Sequence, residues 1–249
     1  MTNISVNLNK IALLRNSRGS DFPNVIEFAK KFIDLGVKGI TVHPRHDERH
    51  IKRQDARELA ELLKGYPGIE LNIEGYPSKE YMDLISDIRP DQCTIVPDSD
   101  DQLTSDHGWD IRKNKIFLKE IISLIKKREI RASIFVDPDM DQIKLAPETG
   151  TDRIELYTES YASSFGTPAN DHIFNKFRRC AETAQELGIG VNAGHDLNLM
   201  NLPGFLEIKG ILEVSIGHAL TVECIEIGMK EVIKRYLNIC NSGRSSCGI

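Results

Sequence analysis

The stretch GITVHPRHDERHIKRQDARELAELLKGYPGIELNIE, residues 39–74, holds one complete structural unit. It opens on a short β-branched run, GITVH at 39–43. Gln54–Leu63 then repeats its apolar residues at helical spacing, Lys64-Gly65 supplies a stop, and IELNIE at 69–74 is a second strand. Two strands joined through a helix rather than a tight turn run parallel. The same unit recurs outward in both directions. Upstream lie ISVNL at 4–8 and a helix at Asn24–Leu35, with Val25, Phe28, Ala29 and Phe32 on one face. Downstream, strands are expected at 93–97, 132–137, 153–157, 189–193 and 212–217. Helices are expected at Lys79–Ile88, Ile111–Lys127, Met140–Pro147, His172–Leu187 and Val222–Ile239. Such repetition predicts an α/β fold, a closed (β/α)8 TIM barrel formed as one domain over residues 1–240, with 241–249 as a flexible tail. A doubly wound open sheet is the alternative. No GxGxxG follows the first strand, which weighs against a dinucleotide site.

Composition narrows the functional classes. Hydrophobic residues make up 40% of the 249 and charged residues 28%, which excludes a disordered, collagen-like or coiled-coil chain. A net charge of −5 opposes a general electrostatic grip on nucleic acid or an anionic membrane, while leaving room for a local phosphate pocket. No apolar run is long enough to span a bilayer, and the N-terminus lacks the core of a secretory signal. The cysteines are odd in number, widely spaced and without a CxxC, which points to a reducing cytoplasm rather than a disulfide framework or zinc knuckle.

In a (β/α)8 barrel, chemistry gathers at the C-terminal ends of the strands. The first strand ends in Asn7 and Asn9, on one face by the period of two, followed by Arg15 and Arg18. These arginines are either solvated or a phosphate clamp. The second strand runs into His43, Arg45, His46, Arg49 and His50. Arginines among the histidines oppose a metal cation and favour an anion, so acid–base chemistry beside a phosphate is the preferred use, with an exposed basic loop as the alternative. On the third strand Glu70, Asn72 and Glu74 share one face. Inside a closed barrel that face points inward, where burial lifts a carboxyl toward the range a general base needs. On an edge strand the same face would meet water.

The loop after the fourth strand, VPDSDDQLTSDHGWD, is acidic, carries Thr104 as a phosphate donor, and has the make-up of a lid. The seventh strand ends in Gly194 and His195. The eighth ends in Gly217 and His218 at the start of a helix, whose free N–H groups and dipole suit a phosphate.

Taken jointly, NLNKIALLRNSRG (7–19), GITVHPRHDERHI (39–51), ELNIEGYP (70–77), VPDSDDQLTSDHGWD (96–110), SIFVDPD (133–139), VNAGHDLN (191–198) and SIGHAL (215–220) resemble the pyridoxine 5′-phosphate synthase family through nearly the whole chain. The resemblance implies a barrel with a few extra helices, assembled as a homo-octamer of dimers. It implies condensation of 1-deoxy-D-xylulose 5-phosphate with 3-amino-2-oxopropyl phosphate to pyridoxine 5′-phosphate, phosphate and water, with no metal and no organic cofactor. By position, His43 and Glu70 resemble the family's proton acceptors and His195 its proton donor. Asn7, Arg18, Gly217 and His218 match contacts to the amino-ketone phosphate; Arg45, His50 and Thr104 match contacts to the deoxyxylulose phosphate. Asn9, Lys10 and Asp196 also fall in the substrate-binding set, but the family usually has Asp-His and Gly there. Backbone contacts at these positions do not depend on the side chain.

Two other functions fit parts of the pattern. A different phosphosugar barrel enzyme, an aldolase or epimerase, would need a Schiff-base lysine if it were an aldolase, and Lys10 is the one nearby candidate. A non-catalytic phosphate binder would not need so many ionisable groups on one rim.

Overall fold

The computed structural model describes residues 1–98 and 105–242. Eight parallel strands pair in sequence order and close on themselves, β1 meeting β8. They are β1 (Asn3–Asn7), β2 (Gly39–Val42), β3 (Glu70–Gly75), β4 (Gln92–Ile95), β5 (Arg131–Val136), β6 (Arg153–Tyr157), β7 (Gly190–Gly194) and β8 (Ile211–Ile216). The helices around them are α1 (Asn9–Asn16), α2 (Val25–Asp34), α3 (Arg53–Leu63), α4 (Lys79–Ile88), α5 (Ile111–Lys126), α6 (Met140–Thr149), α7 (Glu159–Ser164), α8 (Asn170–Glu186), α9 (Leu202–Phe205), α10 (His218–Ile227) and α11 (Met229–Asn241). The barrel, not the open sheet, is the architecture.

Local chemistry sets several helix starts. The side chains of Asn24, Ser78, Asp110 and Asp139 each accept a backbone N–H from the first turn of α2, α4, α5 and α6. Three findings differ from the sequence-based expectation. The segment after β1 is the helix α1, burying Ile11, Ala12 and Arg15. The expected helix Val222–Ile239 is two helices, because Gly228 takes φ 99° and ψ 135° and breaks the ladder. The short helices α7 and α9 lie where no element was expected. Of the expected tail, residues 243–249 lie outside the described residues.

The strand period of two sorts the side chains into two environments. Ile4, Val6, Ile40, Val42, Leu71, Ile73, Ile134, Ile154, Leu156 and Val214 belong to the buried apolar core with side chains from the surrounding helices. Their polar neighbours on the strands bond to one another across strands. Ser5 meets Thr41 at 2.7 Å, Thr94 donates to Asn72 at 3.1 Å, and Asn192 reaches Gln92 and Glu213, each at 3.4 Å. Buried polar groups are stable when partnered this way.

Candidate active site

At the C-terminal rim, a cavity of about 350 Å³ is lined by Asn7, Asn9, Lys10, His43, Arg45, His50, Glu74, Ser105, Tyr157, His195, Asp196, Gly217 and His218, among others. Side chains from β1, β2, β3, β6, β7 and β8 therefore converge on one space. Thr104 lies outside the described residues. Arg18 is exposed just beyond α1 and does not line the cavity. Arg15 is committed elsewhere: it forms a buried two-pronged pair with Asp55, at 2.6 and 2.8 Å, and is no phosphate clamp.

Glu70 is the main correction. It opens β3 at the opposite end of the barrel, where it pairs with Arg131. Four residues of strand, about 13 Å, separate it from Glu74. Glu74 is the carboxyl that lines the cavity. Its Oε2 lies 3.9 Å from His43 Nδ1 and accepts from Asn7 Nδ2 at 3.4 Å. Burial, reinforced by Glu155, Asp98 and Glu213, pushes the Glu74 carboxyl well above the ordinary carboxylate range. Burial, then the neighbouring charges of His50 and Arg45, holds the His43 imidazole well below its ordinary value. Burial thus favours the neutral imidazole and the protonated carboxyl over an ion pair. His43 is fixed through its backbone: its N–H donates to Asn9 Oδ1 at 2.9 Å, and the Asn9 N–H donates to Asn7 Oδ1 at 2.9 Å. An amide oxygen serves this purpose as well as a carboxylate, which explains how Asn can stand at position 9.

Arg45, His50 and Lys10 line the cavity together, Arg45 and Lys10 both acting on the His50 ring. Arg45 is buried with Asp98 at 2.8 Å, and Asp98 also accepts from Ser105 at 2.9 Å. His50 Nδ1 accepts the Ile51 N–H at 2.9 Å, so its proton sits on Nε2. Burial, with Arg45 and Lys10 nearby, depresses His50 to about 4, leaving a neutral N–H donor. The start of α10 also lines the cavity, through Gly217 and His218. A Cβ on Gly217 would lie 3.0 Å from Asn7 Cβ, so the glycine allows that close approach.

His195 completes the rim. Its ring lies against Phe135 at 4.8 Å and edge-on to Tyr157 at 5.3 Å, and burial lowers it to about 4 despite Asp196. Beneath it sits a residue that the sequence reading missed. Glu155 is buried on β6, neither oxygen makes a well-formed hydrogen bond, and burial with the Glu213 charge pushes it up to about 8 against the opposing pull of Thr94. A Cβ at position 194 would come within 2.2 Å of its Oε1, so Gly194 makes room for this carboxyl. The only signal in the sequence was a lone acid inside RIELY.

These protonated acids have a measurable consequence. Folded Glu155 keeps its proton to about pH 8, and Glu213 to about 7, whereas in the unfolded chain both ionise in the ordinary carboxylate range. Unfolding thus releases protons, and stability falls as pH rises through that window. Glu155→Gln is expected to flatten the decline of Tm between about pH 5 and about pH 8. An unchanged slope would contradict the protonated state.

A family model described as "Pyridoxal phosphate biosynthesis protein PdxJ" matches residues 4–242. The chain belongs to this family. A PdxJ relative from Christiangramia forsetii, named pyridoxine 5′-phosphate synthase, is 50% identical over 240 residues, covering 96% of this chain and 99% of its own. One of the same name from Agrobacterium fabrum is 44% identical over 247 residues, covering 97% and 98%. Among solved structures, phosphoribosyl anthranilate isomerase from Thermotoga maritima aligns with TM-score 0.59 at 13% identity, covering 97% of this chain and 100% of that one. The tryptophan synthase α-subunit of Pyrococcus furiosus aligns with TM-score 0.65 at 12%, covering 95% and 97%. At such identities these two share only the barrel with the PdxJ chain. No described helix is long and apolar enough to cross a membrane.

Proposed function

We propose that this chain condenses 1-deoxy-D-xylulose 5-phosphate with 3-amino-2-oxopropyl phosphate, forming pyridoxine 5′-phosphate, phosphate and water. The observation that carries this reading is His43 beside Glu74, 3.9 Å apart, in the same cavity as His195 and among groups suited to anions. Two phosphorylated substrates need two sets of such groups. Arg45, His50 and Lys10 receive the deoxyxylulose phosphate; Asn7 and the backbone amides of Gly217 and His218 receive the amino-ketone phosphate. Asp196 contributes through its backbone.

Imine formation, eliminations and ring closure each move protons. Neutral His43 takes a proton from the substrate carbon or amine, and Glu74 supplies one to a departing hydroxyl, without separating charge before the step. Glu74, not Glu70, is thus the carboxyl placed to exchange protons with the substrate, and it gives a proton before it accepts one. Burial holds His195 neutral; phosphate dianions favour its charged form, so it protonates as substrate binds and then donates. Burial of the pair keeps water from intercepting the intermediates.

The chain works in a reducing cytoplasm as a homo-octamer of dimers. Supporting self-association, α10 exposes Val222, Ile225 and Ile227, and the adjoining α1 exposes Leu13 and Leu14. Supporting the compartment, the four described cysteines are free thiols.

Incubating the purified chain with both substrates is expected to generate the pyridine chromophore, and His43→Asn to slow it by about 10²-fold or more. Absence of product, or equal rates in the variant, overturns the proposal. A borohydride-trapped adduct on Lys10 would instead mark an aldolase.

A further inference from the structure

We infer that Thr158, which touches no substrate-facing space, is a positioning residue that aims the His195 ring by clamping the backbone turn beneath it. The inference rests on the reading of His195 as a proton donor only for its kinetic consequence; the clamp itself is geometric.

After Gly194, β7 continues into two consecutive non-glycine residues in the left-handed region, His195 at φ 76° and Asp196 at φ 60°. Side chains at such φ clash with the backbone, so the turn persists only where its surroundings hold it. The carbonyls of this turn are gripped in succession. The Gly194 oxygen accepts the Thr158 N–H at 3.0 Å and lies 2.7 Å from Thr158 Oγ1. The same hydroxyl meets the His195 oxygen. The Asp196 oxygen accepts from Asn201 Nδ2 at 3.1 Å. Thr158 is fully buried directly after β6, the strand that pairs with β7, so its position is fixed by the barrel.

Apart from the Gly194 backbone, the ring has little to orient it by hydrogen bonding. A functional histidine is usually aimed by an acceptor on its second nitrogen. Here Nδ1 is buried without a well-formed hydrogen bond, and the ring's remaining link is to the Gly194 backbone, the same unit that Thr158 grips. What remains is the direction of the Cα–Cβ bond, set by the left-handed backbone, and packing between Phe135 and Tyr157. The threonine hydroxyl bridges the carbonyls on either side of the His195 Cα, which is where a backbone rotation would swing the ring.

The test compares Thr158→Val, which keeps the shape and removes the hydroxyl, with Thr158→Ser, which keeps the hydroxyl. Thr158→Ala replaces the valine variant if that one fails to fold. The valine variant is expected to lose about 10–100-fold in kcat with both KM values nearly unchanged, and serine to restore most of it. In a His195→Asn background the valine change should cost nothing further, because a residue acting through His195 has nothing left to aim. Full kcat in Thr158→Val, or an equal loss in the His195→Asn background, overturns the inference. Proton resonances of the His195 ring read the same clamp without catalysis. They should shift in Thr158→Val and not in Thr158→Ser, as the ring moves relative to Phe135 and Tyr157; unshifted resonances in the valine variant also overturn it. A fully active His195→Asn single variant would instead remove the donor reading and leave the positioning to the resonances.

Discussion

Glu74→Gln is expected to cut kcat by about 10²–10⁴ while the protein stays folded, the usual size of a lost acid–base group. The amide keeps the volume and can still accept from Asn7 Nδ2, but it has no proton to give and cannot take one from His43. Burial makes the change structurally mild, since it already disfavours the charged carboxylate at this position. Glu70→Gln is the matched control. Its partner Arg131 is partly exposed, and such pairs contribute about 0–1 kcal/mol, so turnover should remain near the wild-type value. The contrast is measured by steady-state rates alongside circular dichroism. Full turnover in Glu74→Gln, or an inactive but folded Glu70→Gln, would sink the assignment.

The ambiguity between these two acids shows what the sequence can carry. Strand period places Glu70, Asn72 and Glu74 on the same face, and nothing in that alternation separates the ends of the strand. Direction does: chemistry belongs at the C-terminal ends, so the rule that located the site already favoured Glu74. The barrel was legible because every unit repeats the same alternation of β-branched run, amphipathic helix and turn. His43, Arg45, His50, His195, Gly217 and His218 were singled out because ionisable residues and glycines just past strand ends have few structural uses, and the fold brings all six to line the same cavity. Pairings across long sequence separations were not. Arg15 and Arg18 look alike in RNSRG, and only the fold brings Asp55, forty positions away, against the first of them. Glu155 was hidden for a related reason, since its raised carboxyl comes from burial beside Glu213, which is a property of three-dimensional packing. Gly228 was read through because its neighbours keep helical periodicity on both sides of the break.

Asp55→Ala is expected to cost about 3–5 kcal/mol of stability, because it leaves the buried Arg15 guanidinium without its carboxylate. The carboxylate also accepts the Lys52 N–H at 2.7 Å, so the start of α3 frays with it. The damage should extend to binding. Arg15 Nη2 donates to the His50 carbonyl at 3.2 Å, and Asn16 Nδ2 reaches the carbonyls of Glu48, Arg49 and His50, so α1 holds the loop that presents His50 to the cavity. Once Arg15 is released, that loop loses a fixed anchor, and KM for the deoxyxylulose phosphate should rise more than kcat falls. Urea denaturation reads the first effect and steady-state kinetics the second. A loss under about 1 kcal/mol would mean that water reaches and solvates Arg15, contrary to its burial. Unchanged KM in a destabilised variant would mean that the loop is held from its α3 side alone.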